Sequence, residues 1–373
     1  MQPATRRLVL LGLIAIVFSG LLVARNLAAA EWDPTLYTAF GEKATPTRVY
    51  AEAKLGEVFL RPEQGHDGKF FFVQANDPLL IHPDENAQVL DRPLYRSQRM
   101  LYPLLAGGGG LFSPEVIVWS LIVVNMLALA VGTIATSFVA TSMRLSPWWG
   151  LAFTFNVGLI SEMNIDGAGV VAAAAAFGAV AVLQRGRYSW GVTLLALSAL
   201  SREPMLIAAA GSAWWFWRYR TNKKVALYLF LVPSALVGLW AIYLRMRIGA
   251  ADLVNPNSPD SLALPFVGLA KAFSSWMGDP MDLLVGCTMV VVLAVFARRA
   301  LIDRKLVGWA FLGFVPLSVV LSEAVWHSFF DITRAIAPVL TALVLLIAGA
   351  GRAEETPAVH RRIEELPSAT RYG

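Results

Sequence analysis

Apolar runs close to 20 residues long alternate with short polar turns along most of the chain, a rhythm that predicts membrane-crossing helices. The first run extends from about Leu8 to Leu27, behind Arg6 and Arg7. Others follow near 114–140, 147–163, 167–184, 190–201, 204–217, 225–245, 282–297, 306–322 and 335–350. A helix needs about 20 apolar residues to cross roughly 30 Å of hydrocarbon. The pattern therefore predicts an all-α membrane protein, a polytopic bundle of about ten transmembrane helices over residues 1–350. Two of the runs, 190–201 and 204–217, are short and meet at Ser201-Arg202-Glu203-Pro204, where proline cannot continue a helix. Read as one kinked helix they would reverse every later span, so the charges between the runs have to decide.

Those charges favour two separate helices. Alternate turns hold Arg144, then Arg185 and Arg187, then Arg218, Arg220, Lys223 and Lys224, then Arg298, Arg299, Arg304 and Lys305, and finally Arg352. The short opposite turns hold only Arg202, Arg245, Arg247, Lys271 and Arg334. Basic residues stay on the cytoplasmic side of a membrane protein. This orientation predicts cytoplasmic termini, residence in the plasma (inner) membrane and an extracytoplasmic first loop, 31–113, too long for a mere connector. It also puts 21 of the 26 Asp and Glu outside, all but Asp303 and the four tail glutamates. The tail, 351–373, is polar and contains proline, and reads as disordered. Ala28-Ala29-Ala30 resembles a signal-peptidase site, but the apolar stretch from Leu8 to Ala24 exceeds the roughly 7–15 residues of a signal core, so the first helix is read as retained.

Composition narrows the classes further. The chain is 57% hydrophobic and 15% charged, against about a quarter charged in soluble domains. Its net charge of +5 does not imply nucleic acid, because the basic residues sit in short clusters at the turns and form no stripe. The single Cys287 excludes a disulfide framework. His66, His82, His327 and His360 have no metal-ligand spacing and no Asp-x-Asp occurs, so neither a metal site nor a cofactor is expected.

Candidate chemistry gathers on the outer face. Asp67 lies in Gly65-His66-Asp67-Gly68-Lys69-Phe70-Phe71-Phe72. A carboxylate against an apolar wall near the membrane is expected to have a raised pKa and to serve as a general base, although Asp-Gly is also a common turn dipeptide. From Asp91, a possible cap, an amphipathic helix is predicted, with Leu90, Leu94, Leu101 and Leu105 near one face and Arg92, Arg96 and Arg99 near another. Such a helix suits the interface plane, with its guanidiniums toward phosphates or lipid headgroups, and Gly107–Gly110 would then release the chain into the next span. Arg202, Arg245, Arg247 and Arg334 lie on the side that the insertion bias depletes of positive charge, so a phosphate or a neighbouring carboxylate should compensate them. His66, Lys69, Tyr95, Glu162, Asn164, Asp166, Glu203, His327 and Asp331 complete the set of candidates for substrate contact. Taken singly, each charge of the later turns reads as a solvated residue or, more readily, as a helix cap.

An acidic residue in a long first outer loop, many spans, and the run Tyr95-Arg96-Ser97-Gln98-Arg99-Met100-Leu101-Tyr102-Pro103-Leu104 before the second span together resemble the GT-C superfamily of polyprenyl-phosphate-sugar-dependent glycosyltransferases. The resemblance is nearest to bacterial members that form cell-surface glycopolymers, and looser to membrane mannosyltransferases. It covers the first loop, touches Ser201–Pro204 and Asp331–Arg334, and elsewhere rests on hydropathy. It implies a GT-C-like bundle that transfers a hexose or pentose from a polyprenyl-phosphate donor to a glycan or glycolipid acceptor at the outer face. The displacement would be inverting and metal-independent. Asp67 would be the base, and Arg96, Arg99, Arg202, Arg245, Arg247 and Arg334 would hold the donor phosphate. The paired acidic signature of some relatives is absent, so the resemblance names neither sugar nor donor lipid. Two other classes fit the hydropathy: a transporter or flippase of lipid-linked saccharides, and a non-catalytic envelope assembly protein. The first expects charge inside the spans and inverted repeats; the second expects the outer charges exposed and dispersed.

Overall fold

A computed structural model describes residues 3–220, 222–249 and 262–352, so the tail from 353 lies outside the described residues. The chain enters through helix α1 (Pro3–Ala29). The first loop carries a two-residue parallel pair, β1 (Phe40–Gly41) with β2 (Leu60–Arg61), joined through a ten-residue helix at Pro46–Leu55, then α2 (Gly68–Asn76) and α3 (Leu101–Gly109), besides shorter helical turns. There follow α4 (Pro114–Ser142), α5 (Val157–Met163), α6 (Gly169–Leu183), α7 (Tyr188–Ser201), α8 (Leu206–Tyr219), α9 (Lys223–Ile248), α10 (Pro280–Asp303), α11 (Leu306–Leu312), α12 (Phe329–Ala335) and α13 (Ala337–Ala348). Several starts carry the chemistry that unpaired helical N–H groups require. Asp279 accepts from the Met281 and Asp282 amides ahead of Pro280, and Asn156 accepts from Gly158 and Leu159 at the head of α5.

The all-α reading holds, but ten transmembrane helices are not confirmed. Among the described residues four helices, α1, α4, α9 and α10, are long and apolar enough to cross a membrane. A fifth span results if α12 and α13, bent by 68° at their junction, are counted together. Of the other apolar runs, α6 has 15 residues and α7 and α8 have 14 each, about 21–22 Å of helix at 1.5 Å per residue. Of these short helices α6 is buried along nearly its whole length, whereas α7 and α8 bury one face each and leave Trp190, Trp214 and Trp217 exposed. Irregular backbone at membrane depth is tolerated where protein covers it. The run 147–163 likewise breaks at Asn156, whose side-chain amide donates to Ala337 O and Thr341 Oγ1 on α13. By contrast α1, α9 and α10 leave Leu13, Val17, Leu21, Leu239, Leu284 and Val291 exposed, the surface a hydrocarbon layer would cover.

The predicted alternation of turns survives as two distinct ends of the bundle. At one end Arg352 donates to Arg144 O, Lys305 to Gly349 O, Arg185 to Ala181 O and Phe138 O, and Trp215 to Arg304 O. All are basic turns or their neighbours. The α7–α8 ambiguity resolves here too. Tyr188 at the start of α7 meets Phe216 near the end of α8, with ring centroids 5.7 Å apart. The two helices therefore fold back as a hairpin across Ser201–Pro204.

The predicted amphipathic helix from Asp91 does not form as one piece. Pro93–Arg96 makes a single turn, Leu101–Gly109 makes α3, and Ser97–Met100 breaks them. Asp91 caps nothing; its carboxylate takes Arg96, and Arg96 and Arg99 turn into the protein instead of outward to headgroups. Gly107–Gly109 remain helical, and Gly107 lies so close to α2 that a Cβ there would sit 2.3 Å from Ala75 O.

Candidate functional site

Asp67 is placed by backbone contacts that only small residues allow. Gly65 has φ +68°, in the left-handed region, and pairs with Phe40; a Cβ on it would lie 2.0 Å from Ala39 O. The His66 amide donates to the same carbonyl. At Gly68 a Cβ would lie 2.5 Å from Ile165 O, so α2 starts directly against the turn before α6. Behind it Phe71 and Phe72 pack on Tyr102 and Phe40. Asp67 occupies the position ahead of α2 yet makes no side-chain capping bond. Its carboxylate is turned elsewhere.

It is turned into a network of arginines. Arg96 Nη1 lies 2.8 Å from Asp67 Oδ1, while Arg334 Nη2 and Arg99 Nη1 lie 3.1 and 3.9 Å from Oδ2. Arg334 Nε also meets Glu162 at 3.2 Å, and Glu162 takes Arg202 at 2.7 Å and the Gly169 amide. Glu203 pairs with Arg99 at 3.3 Å and Asp331 with Arg334 at 3.1 Å. The Glu162 side chain is 2% exposed, and a Cβ at Gly167 would lie 1.9 Å from its Oε2. The first loop, the end of α5, the α7–α8 turn and α12 thus meet at the end of the bundle opposite the basic turns. Guanidiniums and carboxylates neutralise one another there.

This corrects the expected pKa of Asp67. Burial pushes its carboxyl up, but Arg96, Arg334 and Arg99 outweigh it and hold the group well below the usual carboxylate range. Glu203 is likewise held down, burial being outweighed chiefly by Arg99. His66 is exposed, with its ring 5.3 Å from that of Phe330. Partial burial and the nearby Arg334 lower its pKa, so it stands as a neutral imidazole beside Asp67 at neutral pH.

Other candidates lie outside the network. Arg247 donates to Leu80 O and Ile81 O, tying α9 to the first loop, and Arg245 is exposed and joins none of the cluster's ion pairs. His327 is an exposed residue at the end of a single helical turn. These three do not share a site with Asp67: lying on the same face did not bring them to the same point. Lys69 is buried and donates to Gln64 O, so it steadies the loop. Tyr95 accepts from Arg99 through its hydroxyl. Asn164 and Asp166 belong to a separate layer with Arg61, Tyr37 and Asn26. Asn26 donates to Tyr37 Oη and Asn164 Oδ1, and Arg61 to Leu36 O and Asn164 O. Asp166 is fully buried with neither oxygen hydrogen-bonded, and burial pushes its pKa well up.

Sequence reasoning missed Asp91 as an ion-pair partner and Phe70, whose ring lies 3.8 Å from the Arg96 guanidinium carbon. The five-residue spacing of Asp91 and Arg96 inside a loop carries no signal of its own. Nor does the cleft of about 450 Å³ between 148–157 and α13 reach Asp67; it is lined by Trp148, Trp149, Phe155, Val157, Leu340 and Val344. Among the described residues no group of three or more His, Cys, Asp or Glu is arranged to hold a metal ion. In the cluster each carboxylate faces a guanidinium. Chemically, it offers a carboxylate, a neutral imidazole and several anchored cations, the parts needed to stabilise an anionic leaving group. No family model matches the chain, and neither a curated protein nor a solved structure matches it.

Proposed function

We propose that the protein is an integral-membrane glycosyltransferase that moves a sugar from a polyprenyl-phosphate donor to a glycan or glycolipid acceptor at the extracytoplasmic face. One observation carries the reading. Asp67, the acid that the resemblance to GT-C enzymes singles out, lies at the focus of Arg96, Arg99 and Arg334, which arrive from segments far apart in the chain.

The acceptor hydroxyl attacks the anomeric carbon, its proton passing to an Asp67 oxygen as the new C–O bond forms. The bond from that carbon to the donor phosphate breaks, and its electron pair goes to the phosphate oxygen. Fixed guanidiniums stabilise that developing charge without reorganising, so neither a strong acid nor a metal is required of the protein. His66, neutral and at the rim, is placed to bind a sugar or acceptor hydroxyl. Against an assembly scaffold stands the gathering of these charges, with Glu162 and Arg334 buried.

The test is incubation of the purified full chain with a panel of radiolabelled polyprenyl-phosphate sugars and envelope glycan acceptors. Wild-type protein transfers label from at least one donor, and Asp67→Asn loses about 100-fold or more of that rate while keeping its elution profile. Near-normal turnover in the variant rejects Asp67 as the base. No transfer from any donor by the wild type rejects the reading.

A further inference from the structure

Each of the three arginines around Asp67 has two of its guanidinium nitrogens committed elsewhere. Arg96 spends Nε and Nη2 on the two oxygens of Asp91, both at 2.9 Å. Arg99 spends Nε on Glu203 and Nη2 on Tyr95 Oη. Arg334 spends Nε on Glu162 and Nη1 on Asp331. The one nitrogen left on each points at the same place, and that place holds the Asp67 carboxylate. The guanidiniums are held by their other contacts, so the receptor persists whether or not Asp67 is in it. The carboxylate fills it incompletely: Arg99 Nη1 stays 3.9 Å from Oδ2, beyond hydrogen-bonding reach. Two oxygens meet three prongs. A phosphodiester donor presents two non-bridging oxygens and the sugar-bearing oxygen, one for each prong, and that third oxygen takes up negative charge as its bond to the sugar breaks.

We propose that these three terminal nitrogens form a receptor for the donor's phosphoryl group, that Asp67 is its resting-state occupant, and that the incoming phosphate displaces it. The proposal rests on the function inferred above and adds an order to it. Asp67 is free to leave: its side chain is 27% exposed and makes no backbone capping bond. When Asp67 departs, every guanidinium keeps a carboxylate partner, Asp91, Glu203 or the Glu162–Asp331 pair, so the site takes the donor's monoanion, and the dianion left once the sugar has gone, without stranding a cation. Once out, Asp67 no longer faces three cations and becomes able to accept a proton. Donor binding thus precedes and arms the base, and in the resting state no base stands ready to activate water.

Calorimetric titration of the detergent-solubilised full chain with farnesyl phosphate, a monoester that stands for the leaving phosphate, tests this, with farnesol and inorganic phosphate as separate arms for tail and headgroup. Removing the internal competitor exposes the receptor, so Asp67→Asn binds farnesyl phosphate about tenfold more tightly than wild type if the carboxylate occupies the site about nine-tenths of the time. Asp67→Ala gives the same gain and serves where the asparagine variant does not fold. Adding Arg99→Gln to either variant removes most of it. Equal or weaker binding by the Asp67 variants overturns the displacement and leaves the transferase reading standing. A gain seen equally with farnesol overturns the phosphoryl receptor. Binding of neither phosphate by any form overturns receptor and phosphate-donor reading together. Tighter binding without Asp67, in a protein that transfers no sugar, keeps the receptor and sinks the transferase.

Discussion

At the scale of single residues, Asp67 and Asp166 show how one side-chain type takes opposite states a short distance apart. Asp166 is fully buried and Asp67 largely so, which disfavours the charged form. Three guanidiniums reverse that at Asp67. At Asp166 the nearest cation, Arg61, directs its hydrogen bonds to the Leu36 and Asn164 carbonyls, and the carboxyl stays protonated. The sign of its effect on stability follows. An unfolded Asp loses its proton near pH 3.9, while the folded one keeps it to higher pH. Above about pH 4 the folded state therefore binds the extra proton, and stability falls as pH rises by about 1.4 kcal/mol per unit over that window. Asp166→Asn cannot ionise, so its thermal midpoint should exceed that of wild type by more at pH 8 than at pH 5. A difference independent of pH would show that Asp166 is ionised in the folded protein.

At the scale of elements, the site depends on close approaches that fix which helix ends meet. Glu162 ties α5 to α12 through Arg334 and to the α7–α8 turn through Arg202. Removing one partner of a buried ion pair leaves an uncompensated charge, so Glu162→Gln should cost about 3–5 kcal/mol, read as a lower unfolding midpoint. Gly68→Ala drives a methyl into Ile165 O and should cost about 1–3 kcal/mol. Gly108→Ala, in helix α3 with nothing within 4 Å of its new Cβ, should be neutral or stabilise by about 0.5–1 kcal/mol. Equal midpoints for the two alanine variants would mean that contact between α2 and the 165 turn does not set the position of Asp67. None of these approaches could be read along the chain. Gly68 reads as half of a turn dipeptide, and only Ile165, nearly a hundred residues on, shows why it is small.

At the scale of the whole molecule, the two ends differ in kind: one joins basic turns by hydrogen bonds to backbone carbonyls, the other neutralises arginines with acids. If the orientation read from the basic turns is right, opposite faces of a membrane see them. With the lone Cys287 replaced in a Cys287→Ser background, cysteines introduced by Lys43→Cys and Arg144→Cys, both exposed positions, should react with an impermeant maleimide from outside and inside the cell respectively. Labelling of both from one side would remove the membrane topology on which the proposed function depends.

Hydropathy alone located the long apolar helices, because desolvating a backbone at membrane depth leaves the chain few choices but to hydrogen-bond within itself, but it passed over Pro46–Leu55, Gly68–Asn76 and Val267–Trp276. The spacing of basic turns likewise sorted Asp67, Glu162, Arg202, Glu203, Asp331 and Arg334 to one side before any contact was known. Sharing a side is necessary for meeting but does not bring residues together, which is why Arg245, Arg247 and His327 were grouped with a site they do not join. Tertiary packing decided the rest. It let α6 be too short to cross alone, since neighbours bury nearly its whole length, and folded α7 and α8 back on each other as a hairpin. It broke the predicted interfacial helix so that Arg96 and Arg99 could turn inward. It also set the ionisation of Asp67, because the energy of a carboxylate depends on the distance to cations contributed by remote segments, and distance in space is what a linear chain does not record.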